Sequence, residues 1–188
     1  MNREQEKIVQ IDLISTLGII ITHGYNIANA FPVHFHSTYN LGIVELGERE
    51  FTYRGVKSIL TPNDIFVIQP FEPHCCKSHN NTSHCYKIIS FNFDTYHYFP
   101  QLVINQPELL TKIQKLHALA EFERTSLLLQ GLLNEILELL KTFADKADSS
   151  ESNDEYLSRI TTYAPKIIGL RKQYTMNHLS ILDSLRAL

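Results

Sequence analysis

The sequence predicts a mainly β fold, a β-barrel or jelly roll, followed by a helical segment, and three observations support this prediction. Between Leu17 and Asp94, short apolar or alternating runs are separated by turn residues, as in an all-β unit. After Pro100, apolar residues recur at steps of three and four, which is the period of a helix. The 188 residues are 44% hydrophobic and 20% charged, a composition that can fill a globular core.

The β part divides into eight predicted strands. These are residues 17–23, 32–36, 41–46, 50–54, 57–60, 64–68, 74–78 and 84–94. Gly47, Gly55, Pro62 and Pro70 lie in the breaks between them, where turns favour glycine and proline. Eight short strands at close spacing indicate a barrel or a jelly roll.

The first predicted helix covers residues 107–119. Pro107 lies near its first turn, where the missing N–H of a proline costs little. The apolar positions are spaced by three or four residues: Leu109, Ile113, Leu116 and Leu119. This segment is therefore expected to pack one face on the β unit.

The second predicted helix, within residues 123–147, has an apolar stripe that is wider than one packing surface needs. The stripe contains Leu129, Leu132, Leu133, Ile136, Leu140 and Phe143, widened by Leu128, Leu137 and Leu139. Such a helix can pack on the barrel with one edge and on a partner helix with the other. The alternative is an ordinary core helix of a monomer.

The wide stripe predicts a homodimer. The expected interface residues are Leu129, Leu132, Ile136, Leu139 and Phe143. Because the stripe is short, we expect a dissociation constant on the order of micromolar. Charged residues replacing Ile136 and Leu139 together are expected to give a folded monomer.

Four regions are predicted along the chain: a barrel at 1–100, a helical dimerisation segment at 101–147, a linker and helix at 148–168, and a further segment at 169–188. Residues 148–155 are polar and have no apolar anchor. A third helix is expected from about Tyr156, and Pro165 breaks or restarts it. Ser180 is a candidate N-cap of a last amphipathic helix, which indicates a piece of a longer protein.

The charge and the cysteines limit the function classes. A net charge of −3 and a pI of about 6.3 do not fit a chain that binds DNA through phosphates. No signal peptide and no run of about 18 apolar residues is found, so a membrane partner is not expected. Three cysteines do not form a disulfide framework, and a cytoplasmic location is expected. Cys75 and Cys76 alternate along a strand, so one of them is expected to pack inward.

Three histidines and several aromatic residues in the β part predict a binding pocket. His34 and His36 are two residues apart, so both imidazoles should face the same side of a strand, and His74 follows on a later strand. Inward-facing residues of a barrel converge, so the three are expected within about 8 Å of one another. The predicted aromatic lining is Tyr39, Tyr53, Phe66 and Phe91. The other histidines are predicted at the surface: His79, His84, His97, His117 and His178.

These residues lie in sequence segments that resemble those of a known family. FPVHFHSTYNLGIVELGEREFTYRG, LTPNDIFVIQPFEPH and YKIISFNFD are similar to the cupin-type sensing domain of AraC-family transcription regulators. That family shows H-x-H-x-x-x-E, a glycine turn, P-G-D and N-P-x-x-x-H in this order. The resemblance covers about residues 30–95, with two departures: Asn40 stands where the glutamate is usual, and Asn63 replaces the glycine.

The end of the chain adds to the resemblance. GLRKQYTMNHLS is similar to the segment that leads into the first helix of the family's helix-turn-helix domain. After Ser180 the family pattern can be aligned only with a shift of one residue. The resemblance implies a cupin-like barrel that binds a small-molecule effector, with the later helices forming the dimer. It implies that DNA is bound only through a C-terminal domain that this chain lacks. No cofactor is expected.

Two alternatives to the sensor remain. One is a metal-dependent cupin enzyme, an oxygenase or isomerase, in which His34, His36 and His74 hold the metal. Metal cupins usually supply a carboxylate soon after H-x-H, but here Asn40 stands there, and Glu45 comes nine residues after His36. We therefore expect no enzyme, no catalytic residue and no tightly held metal. The other alternative is a dimerisation scaffold with a filled barrel.

Overall fold

The computed structural model describes residues 5–14, 19–93, 97–123 and 126–144. The predicted linker, third helix and helix-turn-helix start, in residues 148–188, lie outside the described residues.

Ten strands in the described residues form two sheets. The six-stranded sheet has the spatial order β1 (Lys7–Ile14), β2 (Ile19–Ile27), β9 (His84–Phe91), β4 (Tyr39–Leu46), β7 (Ile65–Ile68) and β10 (Val103–Ile104). The four-stranded sheet has the order β3 (Phe31–His34), β8 (His74–Ser78), β5 (Arg49–Tyr53) and β6 (Val56–Leu60). All the strand pairs are antiparallel. The eight predicted strands are present, and β1 and β10 were not predicted.

The two sheets face each other across an apolar interior, which confirms the mainly β, jelly-roll prediction. Val44, Phe66 and Ile68 of the six-stranded sheet pack in one buried cluster with Phe51 and Leu60 of the four-stranded sheet. The sheets remain two hydrogen-bonded units rather than one closed barrel. We call the space between them the interior, because the strands direct every second side chain into it.

The four central strands of the six-stranded sheet divide their residues between two faces. Away from the bulges, the even-numbered residues of β2, β4, β7 and β9 face the interior, as Val44 and Phe66 do. The odd-numbered residues face the other side, where Leu41 and Ile89 pack with residues of the two helices. Both faces of this sheet are therefore covered.

Close packing in the interior depends on a glycine. Gly42 lies on β4 directly beside Phe66 of β7, and the Phe66 ring lies over the glycine Cα. A Cβ atom added to Gly42 would overlap three atoms of that ring. Gly24 of β2 has the same relation to the Tyr86 ring. The glycines let two large rings lie flat against the sheet.

Two helices cover the outer face of the six-stranded sheet. Helix α1 (Pro107–Phe122) begins after Gln106, whose side chain accepts a hydrogen bond from the backbone N–H of Glu108. Helix α2 (Leu127–Lys141) begins after Ser126, whose hydroxyl accepts from the backbone N–H of Leu129. In the described part of the chain, neither helix has the length and apolar content that crossing a membrane requires.

The positions of the α2 side chains correct part of the predicted dimer interface. Leu129, Leu132 and Ile136 are buried and pack in the cluster between the helices and the sheet. They have no surface for a partner, so the prediction that they form the interface is wrong. A charged residue at Ile136 would break this core rather than give a folded monomer. Leu139 and Phe143 are only partly buried, and they remain candidates.

Candidate functional site

The structure brings His34, His36 and His74 together. His34 is paired with His74 across β3 and β8, and His36 follows two residues after His34. The ring centroids are 4.3 Å apart for His34 and His74, 5.0 Å for His34 and His36, and 5.1 Å for His36 and His74. The expected proximity is confirmed. We call these three residues the histidine triad.

Hydrogen bonds set the protonation of two members of the triad. The Nδ1 atom of His34 lies 2.6 Å from the Pro32 carbonyl oxygen, and that of His74 lies 2.9 Å from the Glu72 carbonyl oxygen. A carbonyl oxygen only accepts, so each Nδ1 donates its hydrogen, and each Nε2 keeps a lone pair. The lone pairs suit a hydroxyl donor or a metal ion.

Burial keeps the triad neutral. It lowers the pKa of His36 to about 3, and it lowers the pKa values of His34 and His74 as well. The positive charges of neighbouring groups, including Arg49, act in the same direction. At neutral pH the triad therefore offers hydrogen-bonding groups without a charge of its own.

Among the described residues, no carboxylate joins the triad as a further ligand for a divalent metal. Three neutral imidazoles are a suitable donor set by type, and their nitrogens lie within 4.8 Å of one another. However, the Asn40 oxygen accepts a hydrogen bond from Ser90, and Glu45 lies on the opposite face of β4, paired with Lys87. The charge that acts on the triad is that of Arg49, which repels a cation. The absence of a tightly held metal stays a prediction.

The structure separates the predicted aromatic lining into two groups. Tyr53 is buried on β5 opposite His74, and Phe66 lies in the interior cluster. Tyr39 and Phe91 pair with each other on the odd-numbered face and pack in the cluster that contains the helices. The prediction that Tyr39 and Phe91 line the interior is therefore wrong.

A buried arginine in the interior was not predicted. Arg49 is 5% exposed and lies at the start of β5, on the same face as Phe51 and Tyr53. Its guanidinium carbon lies 4.5 Å from the Tyr86 ring centroid, 5.4 Å from that of Phe51 and 5.5 Å from that of Phe66. The signal was present in the sequence, because Arg49 has the alternating spacing of Phe51 and Tyr53.

Two histidines predicted at the surface are buried. His84 lies on β9 at the interior, and His117 lies on α1, facing the outer side of the six-stranded sheet. Burial lowers the pKa of His84 to about 4 and that of His117 to about 3. His79 and His97 are half-buried, and His178 lies outside the described residues. Cys76 is buried and Cys75 is not, as the alternation predicted.

Comparison with known proteins places the chain beside regulatory domains. A sequence model of the family described as "AraC-like ligand binding domain" matches residues 16–140. The uncharacterized HTH-type transcriptional regulator YbfI of Bacillus subtilis is 28% identical over 133 residues. The match covers 63% of this chain and 48% of that protein, so the chain spans about half the length of this curated relative.

Solved structures of cupin proteins are also similar. A cupin protein from Bacteroides fragilis is 18% identical, with a TM-score of 0.43, over 56% of this chain and 95% of that chain. A cupin superfamily protein from Desulfitobacterium hafniense is 14% identical, with a TM-score of 0.42, over 50% of this chain and 83% of that chain.

Proposed function

The chain belongs to the AraC-like ligand binding domain family, and we propose on that premise that it is the effector-sensing part of a bacterial transcription regulator. In this proposal a small molecule enters the interior and contacts the histidine triad and Tyr53. The observation that carries the proposal is the convergence of three neutral imidazoles on one side of the interior. Neutral donors and acceptors among apolar walls are typical of small-molecule sites.

The proposed effect of the ligand is to control a DNA-binding domain beyond this chain. The resemblance of residues 169–180 to the start of a helix-turn-helix domain supports this part of the proposal. The net charge of −3 is consistent with a sensing piece that does not itself bind DNA. We place the protein in the cytoplasm, where its DNA target would be.

The experiment that tests the sensor is a thermal-shift screen with neutral and charged small molecules. We expect a compound that raises the melting midpoint by binding the folded chain. His74→Ala should lower the affinity for that compound about tenfold, because the substitution removes a buried hydrogen-bonding group. Cys75→Ser, one residue away on the outer face of the same strand, is the matched control and should leave the affinity unchanged.

The metal content of the purified protein distinguishes the sensor from a metal-dependent enzyme. We expect elemental analysis of chain purified without chelator to find far less than one equivalent of iron, manganese, nickel or zinc. One equivalent of metal that His74→Ala removes would contradict the sensor reading and support a cupin oxygenase or isomerase. A screen in which no compound shifts the midpoint would support a scaffold with a filled interior.

We further propose that the chain forms a homodimer through the exposed ends of its helices. Phe122 is 86% exposed, Leu127 is 83% exposed and Leu128 is 57% exposed. These three form what we call the helix-end patch. Leu139 lies on the same face of α2 as Leu128, three turns later, and extends the apolar surface. Large exposed apolar residues grouped in this way are typical of a protein interface.

The dimer proposal predicts that two substitutions on α2 change the oligomeric state of the chain in solution. Leu127→Glu together with Leu128→Glu should convert a dimer with a micromolar dissociation constant into a folded monomer, because both side chains are exposed. Ile59→Glu, at an exposed apolar residue of β6 in the four-stranded sheet, should leave the dimer intact. Sedimentation velocity measures the mass and circular dichroism checks the fold. An unmodified chain that stays monomeric at ~100 μM, well above the expected constant, would contradict the proposal.

A further inference from the structure

Arg49 is a buried positive charge with unused hydrogen-bond donors. Its side chain is 5% exposed, and neither Nε nor Nη1 has a hydrogen-bond partner. Its Nη2 donates to the Cys76 sulfur at 2.7 Å. Among the described residues, no carboxylate oxygen lies within 4.0 Å of the guanidinium to form an ion pair. Arg49 thus differs from Arg54, which donates to Glu72, Tyr98 and the Phe99 carbonyl.

The groups around Arg49 do not replace a counter-ion. Three ring faces attract the guanidinium, but each of these attractions is weaker than that of a paired carboxylate. A thiol is a weak acceptor. An unpaired buried ion destabilises a fold even after the surroundings relax. An arginine retained in this position is therefore expected to meet an anion that the chain does not supply.

A hydrogen-bond acceptor lies beside the arginine. The Ser78 hydroxyl donates to the Ile27 carbonyl, so it accepts from Nδ1–H of His84. The Nε2 atom of His84 then has a lone pair, is buried and has no partner. His84 lies against Tyr86, with ring centroids 5.8 Å apart, and Tyr86 also contacts Arg49. Arg49 and His84 together would suit a molecule with an anionic group and a hydroxyl donor.

The Phe51 ring connects this region to the histidine triad. It stacks on the His74 ring with centroids 5.6 Å apart, and the Arg49 guanidinium carbon lies 5.4 Å from its centroid. The interior therefore has neutral imidazoles and a positive charge near the same Phe51 ring. One small molecule with a charged end and a polar end would match both.

We propose that the effector is a small organic carboxylate that also has hydroxyl groups, and that Arg49 binds its carboxylate. This inference rests on the proposed sensor function and names the class of molecule that the sensor detects. The hydroxyl groups would meet the lone pairs of His84 and the histidine triad. The alternative is that Arg49 has a structural role, in which its contacts with the three rings stabilise the fold without a ligand.

The first test needs no ligand. Arg49→Met keeps the unbranched apolar stem of the side chain and removes the guanidinium with its charge, so we expect the melting midpoint of the ligand-free chain to rise by a few degrees. Arg54→Met is the matched control, because it removes an arginine whose donors are used, and its midpoint should fall. A lower midpoint for Arg49→Met would overturn the proposal in favour of the structural role.

The second test uses two pairs of probes at millimolar concentration and constant ionic strength. Gluconate is compared with sorbitol, and lactate with propane-1,2-diol, so that each pair differs by the carboxylate. We expect at least one carboxylate to raise the wild-type midpoint more than its neutral partner does. Arg49→Met should abolish that difference, Arg49→Lys should keep part of it, and Lys77→Met, on the exposed face of the same sheet, should keep all of it.

The outcomes separate this inference from the function on which it rests. The carboxylate proposal is overturned if both members of every pair raise the wild-type melting midpoint equally. It is also overturned if Arg49→Met keeps the difference in midpoint between a carboxylate and its neutral partner. In that case a neutral compound whose effect depends on His74 still supports the sensor. If no compound of any charge shifts the midpoint, the sensor and the carboxylate both fail.

Discussion

Acidification from pH 8 to pH 5 should lower the free energy of unfolding by several kcal/mol. Burial lowers the pKa of His36 and His117 to about 3 and that of His84 to about 4. In the unfolded chain each would titrate near its ordinary pKa of about 6.5. Between these pKa values the unfolded state binds more protons, so stability is full above about pH 7 and is lost as the pH falls. Each histidine contributes about 2 kcal/mol of this loss at pH 5.

His117→Leu isolates one of these groups. The His117 ring is buried between α1 and the sheet, and its Nε2 atom has no partner. The variant should therefore be at least as stable as the wild type at pH 8, where the histidine is neutral in both states. Between pH 6 and pH 4 the unfolding free energy of the variant should fall less steeply than that of the wild type. The two slopes should differ by about 1.4 kcal/mol per pH unit.

Urea unfolding at a series of pH values measures this slope. The comparison at pH 8 is the internal control, because it reports the change in packing alone. Carboxyl groups such as Glu45 and Glu50, whose pKa values are lowered, act mainly below pH 4.5 and do not produce the loss above it. Parallel curves for the variant and the wild type would show that His117 is not buried in its neutral form.

A methyl group at Gly42 should destabilise the fold, and a larger side chain should do so more strongly. The added Cβ would overlap the Phe66 ring, which has no free space because Phe51 and Arg49 lie against it. We expect Gly42→Ala to cost about 1–3 kcal/mol through overpacking, and Gly42→Val to cost more. The loss appears as a lower urea midpoint with an unchanged dependence on urea.

Two further variants make this prediction specific. Gly131 lies on the exposed side of α2, and a Cβ there would meet nothing within 4 Å. Gly131→Ala should therefore stabilise the chain by up to about 1 kcal/mol, since alanine favours a helix. Phe66→Leu should recover part of the loss in Gly42→Ala, and a double-mutant cycle measures the coupling. Additive effects of Gly42→Ala and Phe66→Leu would contradict the overlap.

The sequence was most informative where one face of a strand is solvent-exposed or polar. The parity of His34 and His36 and the later His74 placed the histidine triad correctly. The β4 strand gave no such signal, because both its faces are covered and all of Tyr39–Val44 is buried. Burial on both sides removes the alternation between apolar and polar residues, so nothing in the run LGIV indicates which side chains face inward. The misplacement of Tyr39 follows from this.

Other residues were missed because their environment comes from distant parts of the chain. His117 was predicted at the surface because it is polar, although it follows Ile113 by four residues and so lies on the face of α1 that packs on the six-stranded sheet. Arg49 was missed because the predicted strand began at residue 50, one position too late. Strand β1 has a mixed run, KIVQIDLI, that follows a charged start and pairs only with β2 at the sheet edge. Boundaries and edge strands depend on partners that local patterns do not contain.

The even and odd numbering of the central strands has a consequence for how such a protein can diversify. Along β4, Asn40 and Val44 face the interior, where we propose that a ligand binds, whereas Leu41 and Ile43, their immediate neighbours, pack with the helices. A population of variants can therefore change one set by single-codon steps while the other set stays constant. New chemical preferences can arise in the same strands that preserve assembly, without any insertion, deletion or exchange of domains.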